Sequence, residues 1–173
     1  EKSAGNVALG NILVTKTKSV TVTSAGLATY CSTEALDFSN VEGLTAYKAT
    51  LSGTELSFEK VTTVPAGTGV LLKGNEGTYQ IPVIASAKTI ENNVLVGVTE
   101  STGKSAGIFV LMNGDKGVGF YKTTKAFTVG ANTAYIDDSS LPANVRFIGF
   151  DGETTGITTM TEMKTNGSIY NLN

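Results

Sequence analysis

The chain has 173 residues, of which 40% are hydrophobic and 16% charged, and its formal net charge is −2. This balance excludes intrinsic disorder, which needs low hydrophobicity and high net charge. It also argues against nucleic-acid binding, because the lysines are scattered singly and Arg146 is the only arginine, whereas binding to phosphates needs a basic stripe.

Thr, Ser, Asn and Gly are abundant, which favours strands and turns over helices. The run Val14–Val22 is rich in Thr and Val, and Lys16-Thr17-Lys18 within it is predicted as a turn. Leu27–Cys31 is predicted as a strand. The best helix candidate, Ser32–Phe38, is too short to be stable without packing.

Two hairpins are predicted in the first half of the chain. Leu44–Leu51 and Leu56–Lys60 alternate with period two around a short glycine turn, which is the pattern of a hairpin. The apolar run Val70–Leu72 predicts a buried strand, and the turn Gly74–Gly77 is predicted to lead it back into a strand over Tyr79–Val83.

The second half continues in the same way. Phe109–Met112 and Val118–Lys122 flank the strong turn Asn113–Asp115, and Ala134–Ile136 and Arg146–Phe150 add two further strands. Short strands at nearly regular spacing, with glycine turns between them, are typical of a β-sandwich or β-barrel. No run approaches the roughly 20 apolar residues of a membrane helix, so no transmembrane segment is predicted.

An imperfect internal repeat links the two halves. Leu56–Lys60 is echoed 62 positions later by Val118–Lys122 (Phe58 to Phe120), and Val64–Val70 is echoed 65 positions later by Val129–Tyr135 (Val64 to Val129). Each copy runs from a hairpin into a corner. Pro65 fixes φ in the first corner, and Gly67 or Asn132 can accept left-handed backbone.

The predicted fold is all-β, an antiparallel β-sandwich or barrel built from two imperfect repeats joined in one compact unit. The unit covers residues 1–150, with the repeats at about 19–85 and 94–150. Residues 151–173 are predicted as a Thr-rich tether followed by the start of a truncated C-terminal tail. Two small barrels that share an interface remain the alternative.

The residue types leave little room for catalysis. The chain has no histidine and a single cysteine, Cys31, so the usual Ser-His-Asp and Cys-His arrangements, structural zinc sites and an internal disulfide are all excluded. Cys31 is predicted as a small buried hydrophobic residue. We therefore expect no catalytic residue and no cofactor.

Two kinds of binding residue remain as candidates. Asp137, Asp138, Asp151 and Glu153 follow predicted strands and carry the oxygen ligands that calcium prefers, although without EF-hand spacing. Phe120 and Tyr121 are adjacent in a predicted strand and must point to opposite faces. Tyr121 is therefore the candidate for an exposed, ligand-binding aromatic residue.

Several segments resemble a module found near the C-termini of exported Bacteroidetes (Bacteroides/Prevotella-type) surface or secreted proteins. The similarity is carried by Gly26–Ser32, Ala35–Ser39, Leu44–Ala49 and Val64–Gly74, while Ser168–Asn173 resembles the opening of the tail that often follows the module. The resemblance spans most of residues 19–173. It implies a cell-envelope or extracellular setting and no established catalytic function.

The functional expectation is a non-catalytic accessory or structural module of an exported cell-surface or secreted protein, and not an enzyme. Its expected partners are other domains of the same parent protein, with no nucleic acid. The alternative is a glycan- or protein-binding adhesion module that uses the loops at one end of the sandwich.

Overall fold

The computed structural model describes residues 15–52, 55–150, 157–158 and 160–162, and almost all of its regular structure is β-strand. The all-β prediction is confirmed. The first half contains β1 (Thr17–Val22), β2 (Leu27–Tyr30), β3 (Ala35–Asp37), β4 (Leu44–Ser52), β5 (Glu55–Val61), β6 (Thr63–Val64), β7 (Val70–Gly74) and β8 (Gly77–Ile84). The rest contains β9 (Leu95–Val98), β10 (Thr102–Lys104), β11 (Phe109–Gly114), β12 (Gly117–Lys122), β13 (Phe127–Val129), β14 (Thr133–Ile136), a 3-10 helix (Asp138–Ser140), β15 (Val145–Gly149), β16 (Ile157–Thr158) and β17 (Met160–Glu162).

These strands form four antiparallel sheets. Sheet 1 has the order β1-β8-β3-β6, and sheet 2 has the order β16-β5-β4-β7-β2. Sheet 3 has the order β17-β15-β12-β11-β14-β9, and sheet 4 consists of β10 and β13. The sheets belong to one sandwich-like stack, because each apolar cluster takes side chains from two neighbouring sheets.

Three apolar cores separate the four sheets. The first core lies between sheets 1 and 2, the central core between sheets 2 and 3, and a smaller third core between sheets 3 and 4. Strand β7 contributes to two of them, since Val70 and Leu72 lie in the first core and Leu71 lies in the central core. Successive side chains of a strand point to opposite faces, so a strand covered on both faces is apolar without alternation.

Two hairpin predictions are confirmed and one is wrong. β4 pairs with β5, and β11 pairs with β12, both in antiparallel register. β7 and β8, however, do not pair with each other. The turn after Gly74 carries the chain from sheet 2 to sheet 1, where β8 pairs with β1 and β3. Ile81 of β8 and Leu72 of β7 then lie in the same core, on different sheets.

Two smaller expectations also fail. Lys16-Thr17-Lys18 is not a turn but leads into β1, where Lys18 pairs with Ile81 of β8. The helix candidate Ser32–Phe38 instead contains the short strand β3. Burial decides this segment, because Leu36 and Phe38 lie on one side of it and both enter the first core.

The two halves share one order of strand pairing. The order β5-β4-β7-β2 in sheet 2 matches β12-β11-β14-β9 in sheet 3, and the pair β3-β6 matches β10-β13. The left-handed backbone predicted at the two corners is confirmed, with φ of 74° at Gly67 and 57° at Asn132. The repeat itself stays a prediction, which this shared order favours.

The segment predicted as a tether contributes two short strands. β16 pairs with β5 at the edge of sheet 2, and β17 pairs with β15 at the edge of sheet 3. The truncated-tail prediction for Ser168–Asn173 lies outside the described residues.

Candidate functional site

The predicted calcium ligand Asp137 caps the 3-10 helix. Its Oδ1 accepts hydrogen bonds from the backbone N–H of Ser139 at 2.9 Å and from the Ser139 hydroxyl at 2.6 Å. These hydrogen bonds hold the pKa of the Asp137 carboxyl below its usual value, with a smaller contribution from the charge of Lys104. The carboxylate thus has a local structural role.

The second predicted ligand, Asp138, is paired with a lysine. Its Oδ1 lies 2.7 Å from Nζ of Lys122, whose side chain is only 14% exposed. The same ammonium group lies 5.8 Å from the ring centroid of Phe109. Asp151 and Glu153 lie outside the described residues. Within the described ranges, no three His, Cys, Asp or Glu side chains come together as metal ligands.

Acid should weaken the fold through three carboxyl groups whose pKa values lie below the usual range. Hydrogen bonds from Ser39 lower the pKa of Asp37, those from Ser139 lower that of Asp137, and hydrogen bonds from Lys16 and Lys18 lower that of Glu34. A lowered folded-state pKa stabilises the native state above the unfolded pKa, near 4, and this stabilisation is lost as the pH falls through the folded pKa.

The urea midpoint should therefore decrease steadily from about pH 4 downwards. The double variant Asp37→Asn/Asp137→Asn keeps the accepting oxygen without a titrating group, so its midpoint should fall less steeply over the same range. Equal slopes for the two proteins below pH 4 would contradict the prediction.

Tyr121, the predicted exposed aromatic residue, is half-buried and fully hydrogen-bonded. Its hydroxyl accepts from the backbone N–H of Lys116 at 3.0 Å and donates to the carbonyl of Gly117 at 2.7 Å. Its ring lies 4.7 Å from that of Phe147 and covers Gly114, where an added Cβ would meet ring atoms at 2.8 Å. Tyr121 therefore closes the β11–β12 hairpin.

Three other side chains are the large exposed apolar residues of the described chain. They are Val96, Met112 and Phe127, at 39%, 47% and 41% exposure. Sequence reasoning missed all three. Phe127 starts the short strand β13, which the sequence analysis does not predict, and Met112 ends the apolar run Phe109–Met112. Periodicity cannot identify their exposure, because the exposure of these side chains depends on where sheets 3 and 4 stop covering each other.

Cys31 is buried, as predicted, at the junction between the two halves. Its side chain is 1% exposed, and burial raises the pKa of its thiol to about 11 against a smaller opposing effect of the Val98 backbone hydrogen bond. The backbone N–H of Cys31 donates to the carbonyl of Asn132 in the second half at 3.3 Å. A thiol of this kind is a poor nucleophile, since the thiolate is the reactive form.

Cys31 should therefore react very slowly with a disulfide reagent in the native protein. At pH 8 a thiol with a pKa of about 8.5 is roughly one quarter thiolate, whereas a pKa of about 11 leaves roughly one thousandth. The rate at which the reagent labels the thiol, monitored by absorbance, should be at least about 100-fold lower in native buffer than in guanidinium. With one cysteine in the chain, the denatured protein is its own reference. Comparable rates would show that the junction is open.

One open groove lies at the end of sheet 1. Its volume is about 650 Å³, and the side chains that line it are mostly small: Thr33, Ala35, Ala66, Ala85, Ser86 and Ala87. Its carboxylate, Glu34, is paired through both oxygens with Lys16 at 2.6 Å and Lys18 at 2.9 Å. The groove therefore offers shape and hydroxyl groups, and its one carboxylate is already engaged by two lysines.

Ser32 is the one polar residue in the buried set of the described chain. Its hydroxyl accepts from the backbone N–H of Glu34 at 3.0 Å, and its carbonyl accepts from Gly67 at 2.7 Å. Both interactions shape the corner at Gly67. The polar groups at this position are therefore satisfied within the fold.

No helix in the described part of the chain is long and apolar enough to span a membrane. No protein-family model matches the chain, and no curated protein or solved structure matches it at a significant level.

Proposed function

We propose that the chain is a non-catalytic structural module of an exported cell-surface or secreted protein, in which it holds other domains of the same parent protein apart. The observation that carries this proposal is that the charged side chains named as site candidates are engaged in interactions within the fold. Asp137 caps a helix, Asp138 pairs with Lys122, and Glu34 pairs with Lys16 and Lys18. These groups stabilise the fold and do not converge on a shared pocket.

The stacking of the sheets also suits a spacer. Sheet 2 is shared by the first and central cores, so the first half cannot move as a body without disturbing the second. Asn93, in the connection between the halves, hydrogen-bonds to the backbone of Ala49 and Gly69. A spacer fixes the distance between its neighbouring domains only if its own parts stay fixed to each other. Two separate barrels on a hinge would not stay fixed in this way.

The exported setting rests on the resemblance of Gly26–Ser32 and Val64–Gly74 to modules of surface proteins. The outer surface of sheet 1 fits such a setting, since it presents uncharged hydrogen-bonded side chains rather than an apolar patch. Thr17 and Ser19 bond to Gln80, and Thr21 bonds to Thr78. Protease treatment of intact cells that express the parent protein should remove the module, whereas protection of the module would contradict surface exposure.

Calorimetry of the isolated chain tests the structural role. A single unfolding transition is expected, with calorimetric and van't Hoff enthalpies in agreement, because the halves share the central core. Limited proteolysis between residues 85 and 106 should not yield two stable halves. Two separate transitions, or turnover of any substrate in a panel of chromogenic glycosides, esters and peptides, would overturn the proposal.

A further inference from the structure

Strand β1 is the longest of the strands that lie at a sheet edge in the described chain. It has six residues, Thr17–Val22, and pairs with β8 alone. The other edge strands of the four sheets have two to four residues. Two of these, β2 and β9, contact the other half of the chain near Gly97. β1 is therefore the edge that offers a further strand the most room.

The backbone of β1 directs alternate hydrogen-bonding groups away from β8. The N–H of Val83 donates to the carbonyl of Lys16 at 2.8 Å, so Lys16 is a hydrogen-bonded position of this antiparallel pair. Hydrogen-bonded and non-hydrogen-bonded positions alternate along such a pair. Thr17 is therefore non-hydrogen-bonded, which suits its partner Pro82, because proline has no N–H. The N–H and C=O groups that point to the open edge are those of Thr17, Ser19 and Thr21.

Strand β1 carries little that would block this edge. Edge strands are often protected by a proline, a β-bulge or a charged side chain. The register with β8 runs without a shift from Thr17 to Val22, and the strand contains no proline. Its one lysine, Lys18, lies on the inner face with Val20, where Nζ is 2.9 Å from a carboxylate oxygen of Glu34. The exposed side chains of the strand are small and uncharged.

We propose that β1 pairs with β1 of a second copy of the chain, in antiparallel orientation about a two-fold axis at Ser19. In this register Thr17 of one copy faces Thr21 of the other, and the two Ser19 residues face each other. All the outward-directed backbone groups are then paired, in about six hydrogen bonds. A two-fold dimer of this kind uses the same surface on both copies. The pairing goes beyond the structural role and does not depend on it.

The side chains of β1 favour a copy of the strand itself as its partner. On the outer face, the hydroxyl groups of Thr17 and Thr21 meet across the new pair, a combination that stabilises antiparallel strands. On the inner face, Lys18 of one copy faces Val20 of the other, so like charges are not directly opposite. The Thr21 hydroxyl already lies 3.1 Å from that of Thr78 on β8. The new pair therefore continues this row of hydroxyl groups into a second sheet.

The size of the contact sets its strength. About five residues of each strand take part, which gives a contact roughly 16 Å long. Such a contact buries far less than the roughly 800 Å² per partner of a standard protein interface. The pairing is therefore weak, with a Kd on the order of 0.1–1 mM.

Amide NMR of the ¹⁵N-labelled full chain tests the pairing by dilution from about 1 mM to about 20 μM. The amide signals of Thr17, Ser19 and Thr21 should shift with concentration, because these N–H groups gain an acceptor in the dimer. The amides of Lys18 and Val20 already point to β8 and should shift much less. No shift over this range, or equal shifts of the two sets, would overturn the proposal.

Ser19→Lys should weaken the association at least about tenfold, because it places two lysines opposite each other at the two-fold axis. Ser19→Pro should abolish it, since it removes the central donor of both copies at an edge position where proline is tolerated. Thr128→Lys is the control, because it adds the same charge at an exposed position of β13 and should leave the Kd unchanged. An unaltered Kd in Ser19→Lys, or equal weakening by Thr128→Lys, would overturn the proposal.

Discussion

Gly97→Ala should destabilise the protein by about 3 kcal/mol, the upper end of the range for forcing a methyl group into a packed interior. A Cβ on Gly97 would lie 2.5 Å from Sγ of Cys31, 2.5 Å from the carbonyl oxygen of Gly67 and 2.8 Å from the backbone nitrogen of Gly69. Two of these three atoms belong to backbone, which cannot rotate away as a side chain can. Equilibrium urea unfolding measures the loss as a lower midpoint at unchanged slope.

Gly103→Ala is the matched control. Gly103 also lies in a strand of the second half, β10, but nothing lies within 4 Å of a Cβ built on it. An alanine there should change the free energy of unfolding little, because a glycine in a strand interior is itself slightly unfavourable. Equal effects of the two substitutions would show that close packing at Gly97 is not what restricts this position.

At the junction around Gly97, each half of the chain contacts the corner of the other half. The N–H of Cys31 in the first half donates to Asn132 at the corner of the second, and Gly97 in the second half lies against the carbonyl of Gly67 at the corner of the first. Gly69 and Ala134, which occupy matching corner positions, approach each other. Mutual contacts of this kind are compatible with the predicted repeat, which stays a prediction.

The elements predicted correctly from the sequence depend on neighbours along the chain. The β4–β5 and β11–β12 hairpins follow from period-two alternation around a short turn, and the φ values of Gly67 and Asn132 follow from residue type. The β7–β8 hairpin fails because alternation shows which face of a strand is apolar and not which sheet the strand joins. That choice depends on a core shared by distant segments, to which Ile81 and Leu72 contribute from different sheets.

The candidate residues also divide into those whose role depends on neighbours along the chain and those whose role depends on distant segments. Asp137 and Asp37 are each followed two positions later by a serine, and both carboxylates bond to the N–H of that serine. This local turn pattern is readable from sequence, and it predicts a capping role for Asp137 better than a calcium ligand. Gly97, in contrast, gives no sequence signal, because its close neighbours at Cys31 and Gly67 are far away along the chain.

Asn93→Ala is expected to cost about 3 kcal/mol, because it leaves buried backbone groups of both halves without partners. Oδ1 of Asn93 accepts from the N–H of Ala49 at 3.0 Å and from that of Leu95 at 3.2 Å, and its Nδ2 donates to the carbonyl of Gly69 at 2.8 Å. The next residue, Val94, donates to the carbonyl of Ala49. The register between β4 and β7 ends at Tyr47. Asn93 and Val94 therefore supply the hydrogen-bond partners of β4 at Ala49, beyond that end.

Two measurements separate this role from general destabilisation. Urea unfolding should show the loss for Asn93→Ala and almost none for Asn113→Ala, since Asn113 is exposed at the end of β11, where substitutions usually change stability by less than about 0.5 kcal/mol. Hydrogen exchange should show that the Ala49 amide loses more protection than the amides in the middle of the β11–β12 hairpin, because it loses its own acceptor. If all amides lost protection equally, Asn93 would be stabilising the fold as a whole and not joining the halves at β4.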